Sequence, residues 1–418
     1  MFFGITPTSY AEEKHPFKDE VFIPSDIYEN GELRNALPSS NLSNPTPKFL
    51  ETSEFMIGSV AVGLILVEGD GSRSTKLAEW NQKEIDDAIY QVQKALTWWE
   101  QQSKLHNASL SFQLKFEGVH RSKFEPLLTS KNEHHLWVSD VMQQMGYDNG
   151  DHFIRTRTYT NYLRETHSTN WAFIIFMVDG GNQSSHDGIS GWAFLGGPYE
   201  VDIYYNPNFN SDWPSKLVAH ETGHIFYATD EYNQRAETVS GYLGHKANYQ
   251  SECLMHNMNW CLSEGTKLQV GWRDSDNNGL NDIVDTKPSL IFENIPSVPY
   301  TDNEELLFEG YVIENPYPNN NPHGTQRDIS INIVSSISYS YNFNGSKDTI
   351  IKLDDENIVY DSAVEQFQFI ITAKGLGRHN VVVNTRNSVG NVHLLPIYTI
   401  FTYVEINDVK ISAVRADL

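Results

Sequence analysis

Basic residues and cysteines are both scarce in this chain of 418 residues. Lys and Arg number 30 against 54 Asp and Glu, which gives a formal net charge of −24. Such a surface repels nucleic-acid phosphates and anionic lipid headgroups, so nucleic acid is not an expected partner. The two cysteines, Cys253 and Cys261, are too few for a disulfide scaffold, although they are close enough in sequence to clip one loop.

Long apolar runs are also missing. The longest, residues 55–67, is interrupted by Gly58, Ser59 and Gly63 and is shorter than the roughly 20 residues of a membrane-spanning helix. No transmembrane segment is therefore expected. Hydrophobic residues still make up 39% of the chain and charged residues 20%, which is typical of packed globular domains. The length predicts two such domains.

The amino terminus has the features of a secreted protein. Residues 1–11, MFFGITPTSYA, lack a basic start but end in Ser9 and Ala11, the small-x-small spacing of a signal-peptidase site. They predict a residual signal peptide, with an ordinary chain terminus as the alternative. Residues 12–51 are polar and broken by prolines, which predicts an extended lead-in or propeptide. That segment has no cysteine, so a cysteine side chain of this segment cannot hold the protein in a latent state, while a carboxylate or backbone group could.

Strands and helices alternate through the first half of the chain. Ile85, Ile89 and Val92 belong to one apolar stripe of a predicted helix. The predicted elements are strands at 58–69, 110–120, 171–180 and 191–205, the last an edge strand with a glycine bend, and helices at 84–102 and 135–146. This order predicts an α/β domain with a mostly parallel sheet covered by helices, over residues 52–289.

The pattern changes after Asp285. A Pro- and Asn-rich stretch, residues 315–324, precedes short alternating runs that have the spacing of a β-sandwich. The predicted strands are residues 329–343, 348–353, 366–373, 379–390 and 396–406. Residues 290–418 therefore predict an accessory all-β domain of immunoglobulin-like or fibronectin-like kind.

A metal-binding pattern lies between these regions. His220 and His224 are four residues apart, so on a helix both imidazoles project from one face and can bind one metal ion. Glu221 is placed to take the proton of a metal-activated water that attacks a carbonyl group. The string H-E-x-x-H also occurs by chance on surface helices, so it does not decide the function alone.

The residues around this string resemble the metzincin zinc peptidases. The likeness rests on the continuation HETGHIFYATDEY and on CLMHN further along the chain. It implies a metzincin-like catalytic domain with zinc held by His220, His224 and Asp230, and Glu221 as general base. It also implies that Met255 lies in the methionine turn beneath the histidines. A secreted zinc metalloendopeptidase is the expected function.

The third ligand is less well determined by the resemblance. Metzincins usually have glycine where this chain has Tyr227, and that glycine allows the sharp turn towards the third ligand. The string DEY also resembles the bacterial IgA-peptidase family, whose motif is spaced one residue longer. Glu231 is therefore the alternative third ligand, and His245 and His256 are further candidates.

A second departure concerns stabilisation of the oxyanion. Asn257 stands where astacin-like members have a tyrosine that serves this purpose after the methionine. Another donor must then take the role, and Tyr232 is a candidate by its position in the sequence.

The segment DSDNNGLND resembles the start of EF-hand and related calcium loops. Its oxygen-bearing residues are Asp274, Asp276, Asn278 and Asp282. The usual twelfth-position Glu is absent, which favours a variant closed by Asp282 or Asp285. A structural Ca²⁺ is predicted, and a metal-free Asx-rich turn is the alternative.

Three functions remain open on sequence grounds. The leading one is an endopeptidase that binds a protein or peptide substrate as an extra strand along residues 191–205. Tyr227 and Asn257 motivate the main alternative, an extracellular binding or adhesion protein with a vestigial or structural metal site. In that case the carboxy-terminal sandwich would engage a host or surface ligand. A third is a zinc hydrolase acting on a carbohydrate-linked amide.

Overall fold

The fold is an α/β region followed by two facing β-sheets. The computed structural model describes residues 44–76, 78–181, 190–204, 212–232, 237–294, 304–343, 349–353, 359–373 and 378–403, and the backbone of short strands at 19–22, 28–29, 32–33 and 300–301. Among the residues described, no helix is both long enough and apolar enough to cross a membrane.

A six-stranded mixed sheet organises the α/β region. Its strands in chain order are β1 (Asp19–Phe22), β4 (Gly58–Gly69), β5 (Leu110–Ser122), β6 (Trp171–Asp179), β7 (Gly191–Phe194) and β8 (Tyr199–Tyr204), while β2 (Tyr28–Glu29) and β3 (Glu32–Leu33) form a separate ladder. The order across the sheet is β1-β7-β8-β6-β4-β5. Only the β7–β8 pair is antiparallel. The predicted mostly parallel α/β sheet is therefore confirmed.

Helices cover both faces of this sheet. They are α1 (Gln82–Leu105), α2 (His135–Gln144), α3 (His152–Thr166), α4 (Trp213–Ile225), α5 (Leu254–Asn257) and α6 (Glu264–Gln269), with a small ladder of β9 (Val239–Ser240) and β10 (His245–Lys246) between α4 and α5. Helix α1 begins at a capping box formed by Asn81 and Glu84. Helices α1 and α4 pack into one apolar core and α2 and α3 into the other.

Helix α3 was not predicted from the sequence. Its buried face contains Thr156, Arg157 and Thr160 together with apolar residues, so the 3.6-residue apolar period is weak. Arg157 is fully buried and donates a hydrogen bond to the Leu50 carbonyl at 2.7 Å. A buried and hydrogen-bonded guanidinium thus takes a place that the sequence pattern assigns to the surface.

The segment predicted as one edge strand with a glycine bend, residues 191–205, has the bend, but over its described part, residues 191–204, it is not a single edge strand. It is a hairpin in which β8 lies inside the sheet, between β6 and β7. Gly196 and Gly197 form the turn with φ of 79° and 73°, a left-handed conformation that glycine adopts without steric cost. β7 is also covered on its outer side, because β1 pairs with it.

The carboxy-terminal region consists of two sheets with a shared core. Its strands are β11 (Ser289–Asn294), β12 (Tyr300–Thr301), β13 (Glu304–Ile313), β14 (Val334–Phe343), β15 (Thr349–Lys352), β16 (Val364–Ala373), β17 (Arg378–Asn387) and β18 (Val392–Tyr403). The sheets are β11-β13-β16 and β12-β18-β17-β14-β15, antiparallel apart from the two-residue β12–β18 pairing. Phe369 of β16 stacks on Tyr339 of β14 across the core, with centroids 4.2 Å apart. The coarse prediction of a β-sandwich region is confirmed.

The Pro- and Asn-rich stretch and the residues that follow it, up to Ile329, are anchored to the α/β region. The Tyr242 hydroxyl donates to the Tyr317 carbonyl at 2.8 Å and accepts from the Ile329 amide at 2.7 Å. Arg327 forms an ion pair with the buried Glu51, its Nε lying 2.8 Å from Oε1. This stretch is therefore part of the packing around the α/β region.

Candidate metal centre

Helix α4 holds the two histidines of the motif. It begins at Trp213 with Pro214 in its first turn, where proline fits because the first amides of a helix have no intrahelical partner. His220 and His224 are one turn apart, and their Nε2 atoms lie 3.1 Å from each other. Both side chains are buried.

Asp230 completes a triangle of donor atoms. Its Oδ1 lies 3.3 Å from Nε2 of His220 and 3.3 Å from Nε2 of His224. A tetrahedral ion with metal–ligand distances of about 2.0 Å separates its ligand atoms by roughly 3.3 Å. The triangle therefore has the dimensions of one face of a tetrahedral metal site.

Backbone carbonyls fix the histidine tautomers. Nδ1 of His220 lies 3.1 Å from the Leu254 carbonyl, and Nδ1 of His224 lies 2.7 Å from the Ala228 carbonyl. Because a carbonyl oxygen only accepts, each Nδ1 donates and each Nε2 presents its lone pair. Two lone pairs and a carboxylate oxygen then converge within 3.3 Å, and a cation between them would offset their repulsion.

Without a metal ion, a protonated histidine stabilises the charge of Asp230 in the way that a metal ion would. Burial opposes ionisation of its carboxyl group, but His224 and His220 outweigh that effect and hold the pKa well below its ordinary value. An ionised carboxylate is the form that binds a metal ion.

The turn that brings Asp230 to the histidines is a Schellman motif. The Ala228 amide donates to the Gly223 carbonyl and the Tyr227 amide to the His224 carbonyl, both at 2.9 Å. Tyr227 is the left-handed residue of this motif, with φ of 66°, a position that glycine usually occupies. The missing glycine therefore does not prevent the turn.

Packing holds Tyr227 in this conformation. A Cβ added at either Gly196 or Gly324 would lie 2.2 Å from the Tyr227 hydroxyl oxygen, so the ring end lies where two glycines leave room for it. Ser240 also donates to the Tyr227 carbonyl at 2.7 Å. The backbone cost of a left-handed tyrosine, about 1 kcal/mol, is thereby offset by burial of its ring.

The alternative third ligands have other partners. The Glu231 carboxylate accepts hydrogen bonds from Thr266 Oγ1 at 3.1 Å, from the Asn248 amide at 3.3 Å and from the hydroxyls of Ser251 and Ser263. Nε2 of His245 lies 3.2 Å from Arg273, and Nδ1 of His256 lies 2.6 Å from the Ser251 carbonyl. Within the described part of the chain, His220, His224 and Asp230 are the one group of three His, Cys, Asp or Glu side chains whose ligand atoms all lie within 4.8 Å of one another.

The side chain of Glu221, on α4, packs against the start of β7. It is fully buried, and a Cβ added at Gly191 would lie 3.0 Å from Oε1. The helical period turns Glu221 about 100° away from His220, towards the β7–β8 hairpin.

The loop predicted to form a methionine turn lies against another side of α4. Met255 is fully buried, and its Sδ lies 3.0 Å from the position of a Cβ added at Gly223, between the two histidines. A disulfide joins Cys253 and Cys261, and the Leu254 amide donates to the Cys261 carbonyl at 3.1 Å. This closed loop also carries the Leu254 carbonyl that orients His220.

Of the two residues considered for stabilisation of an oxyanion, Asn257 lies within this loop and Tyr232 lies next to it. Nδ2 of Asn257 donates to Glu252 Oε2 at 2.8 Å on the exposed surface. The ring of Tyr232 lies beside that of His256, with centroids 6.3 Å apart. A role for Tyr232 as an oxyanion donor stays a prediction.

Two buried acids beneath α4 were missed by the sequence analysis. Glu200 and Asp202 lie on β8 with almost no exposure, and Glu200 Oε1 accepts from Thr222 Oγ1 at 3.3 Å. Burial raises the pKa of both groups, that of Asp202 to about 8, and the neighbouring Asp202 and Glu221 raise the pKa of Glu200 further. The sequence feature that could have revealed these buried acids is their position on either side of Val201 within an otherwise apolar strand.

The predicted calcium loop is a hydrogen-bonded turn in this structure. Nδ2 of Asn278 donates to Asp276 at 3.1 Å and to Asp285 at 2.9 Å, and its backbone amide donates to Asp274 at 3.1 Å. Asp282 instead accepts from Arg273 Nε at 2.5 Å and from the Ser275 amide at 2.8 Å. Of the two predicted closing residues, Asp285 therefore lies with the loop acids and Asp282 is bound elsewhere. Calcium at this loop stays a prediction.

Comparisons with known proteins do not place the chain in a family. No family model matches it, and no curated protein matches it. Among solved structures it is similar to superoxide reductase (neelaredoxin) from Ignicoccus hospitalis, with 10% identity, a TM-score of 0.18 and coverage of 28% of this chain and 80% of that one. It is also similar to Spo0M, a sporulation control protein from Bacillus subtilis, with 14% identity, a TM-score of 0.18 and coverage of 29% and 50%. Likenesses this weak support neither a fold nor a function.

Proposed function

We propose that this chain is a secreted zinc metalloendopeptidase of metzincin type. His220, His224 and Asp230 hold the zinc ion, and Glu221 is the general base. The observation that carries the proposal is the triangle of donor atoms with sides of 3.1, 3.3 and 3.3 Å, placed next to Glu221. Two imidazoles and one carboxylate are an established ligand set for catalytic zinc, and three protein ligands leave a coordination position open.

Different residues of the chain would carry out different parts of the proposed reaction. Zinc, when bound, would acidify a water molecule and polarise a carbonyl group. Glu221 accepts the proton of the attacking water and then passes it to the leaving amine. The Leu254 and Ala228 carbonyls keep both histidines in the tautomer that binds metal.

The rest of the proposal concerns the surroundings of the site. The substrate is an extended protein or peptide that adds to the outer edge of β7. The carboxy-terminal region is an immunoglobulin-like or fibronectin-like accessory domain, and the acidic loop around Asn278 holds a structural calcium ion. The Cys253–Cys261 disulfide supports location in an oxidising compartment such as the extracellular space.

Metal analysis combined with cleavage-site profiling tests the catalytic proposal. Wild type and Glu221→Gln should each bind one zinc ion, because Glu221 is not a ligand, but only wild type should cleave members of a proteome-derived peptide library. Undiminished cleavage by Glu221→Gln would refute the role of Glu221. Full zinc occupancy without turnover, even when β1 no longer pairs with β7, would favour a binding or adhesion protein with a structural metal.

A further inference from the structure

The outer edge of β7 is already paired with a segment of this chain. β1 runs parallel to it with four residues in register. The pairs are Asp19 with Gly191, Glu20 with Trp192, Val21 with Ala193 and Phe22 with Phe194. This is the edge on which an extended substrate is proposed to bind.

The β7–β8 hairpin is in direct contact with the metal motif. The backbone of Gly191 faces Glu221, since an added Cβ would lie 3.0 Å from its Oε1. At the other end of β7, the Gly196 amide donates to the His224 carbonyl at 3.4 Å. Because neighbouring strands lie about 4.8 Å apart, a strand paired to Gly191 lies one strand spacing from the part of β7 that packs against Glu221.

The metal centre is closed to solvent in this conformation. His220 is 1% exposed, and Glu221, His224 and Asp230 are each 0% exposed. A polypeptide cannot reach Glu221 or the donor triangle without a rearrangement. The closed site and the occupied β7 edge are separate observations, and both describe a state that does not admit substrate.

We propose that β1 is a built-in occupant of the substrate edge, and that it must leave β7 before an extended peptide can bind. The inference rests on the proposed function, since it identifies that edge as the substrate position. A ladder of four residues contributes only about 1 kcal/mol per hydrogen bond, so cleavage of the lead-in or a competing strand can displace β1.

A pair of proline substitutions in the full-length chain tests this proposal. Proline removes an amide donor and disfavours a paired strand. Alternate residues of a strand direct their amides to opposite sides, so Glu20→Pro combined with Val21→Pro removes the amide that faces β7 in either phase. Glu12→Pro with Glu13→Pro is the matched control, because it places the same change in the lead-in outside β1.

Two rates are measured for wild type and both variants, namely transfer of zinc to a chelator and cleavage of a peptide library. In the β1 variant we expect both to rise roughly tenfold, the effect of about one lost hydrogen bond, with the control unchanged. A synthetic peptide of residues 16–25 should reverse both increases by rebinding to β7. Circular dichroism and thermal unfolding establish that the variants remain folded.

The outcomes separate this inference from the peptidase function. Faster zinc transfer without any cleavage would support β1 as the cover of the site and refute the peptidase function. Unchanged zinc transfer in the folded β1 variant would overturn the inference, whatever the cleavage rate. Equal acceleration in the control variant would also overturn it, because the effect would then not depend on pairing with β7.

Discussion

Replacing Gly324 with alanine should weaken zinc binding, although this glycine lies in the Pro- and Asn-rich stretch beyond the metal motif. An added Cβ would lie 2.2 Å from the Tyr227 hydroxyl oxygen, so the buried tyrosine ring must move. Tyr227 is the left-handed residue that turns the chain from α4 towards Asp230. A shift of its ring therefore displaces Asp230 from the histidines.

The magnitude follows from two separate costs. Alanine at φ of 72° costs about 1 kcal/mol in backbone strain, and overpacking against the ring costs about 1–3 kcal/mol. The matched control is Gly390→Ala, where φ is 91° and no atom lies within 4 Å of the added Cβ. The control should therefore lose only about 1 kcal/mol.

Denaturant unfolding and zinc competition with a chelator measure these effects. Gly324→Ala should lose about 1–3 kcal/mol more stability than Gly390→Ala, and its zinc affinity should fall roughly tenfold or more. The zinc affinity of Gly390→Ala should equal that of wild type. Equal unfolding free energies in the two variants, with zinc affinity unchanged in both, would refute the idea that packing of Tyr227 holds the third ligand.

Three further predictions concern single side chains. Asp230→Asn should reduce zinc affinity at least tenfold. Glu231→Gln should bind zinc as wild type does, but weaker hydrogen bonds should lower its unfolding free energy by about 1–3 kcal/mol. If instead Glu231→Gln lost zinc and Asp230→Asn kept it, Glu231 would be the ligand. Burial, followed by the nearby Glu51 charge, raises the pKa of Glu54 from 4.5 to about 8. The native state therefore binds the Glu54 proton more tightly than the unfolded state does. The unfolding free energy of wild type should fall relative to that of Glu54→Gln as pH rises from 4.5 through 8. Parallel curves of unfolding free energy against pH, measured by urea unfolding, would contradict this. Calcium should raise the thermal midpoint of wild type but not of Asp285→Ala, and equal midpoints with and without calcium in wild type would make the loop a metal-free turn.

Local patterns in the sequence predicted the elements whose periodicity is strong. β4 has the predicted bounds, Gly58–Gly69, because it is an apolar run bounded by glycines. Helix α4 follows from Pro214 and the spacing of His220 and His224. Such features depend on residues a few positions apart, so a single sequence contains the information.

Features that depend on distant pairing were not predicted. Residues Asp19–Phe22 are too few and too mixed for a strand signal, and β1 forms only against β7. Glu200 and Asp202 interrupt the apolar pattern of β8, and Glu200 accepts a hydrogen bond from Thr222 of α4. In each case the partner is remote in sequence, which a periodicity argument does not detect.

The left-handed conformation of Tyr227 affects how the two departures from the metzincin pattern, Tyr227 and Asn257, are interpreted. A glycine at this position avoids a backbone cost of about 1 kcal/mol, but burial of a large side chain contributes about 1.5–3 kcal/mol. The tyrosine is therefore a compensated substitution, and it no longer argues for a vestigial metal site. Only Asn257 remains as a motive for the binding-protein alternative.

That leaves stabilisation of the oxyanion as the feature that separates a peptidase from a metal-stabilised binding protein. Asn257 donates to Glu252 at the surface, so the donor must come from elsewhere, and Tyr232 is the nearest candidate in sequence. In a background with β1 displaced, Tyr232→Phe should reduce kcat about 10²–10³-fold while zinc stays bound and KM changes little. An unchanged kcat in that variant would exclude Tyr232 as the donor.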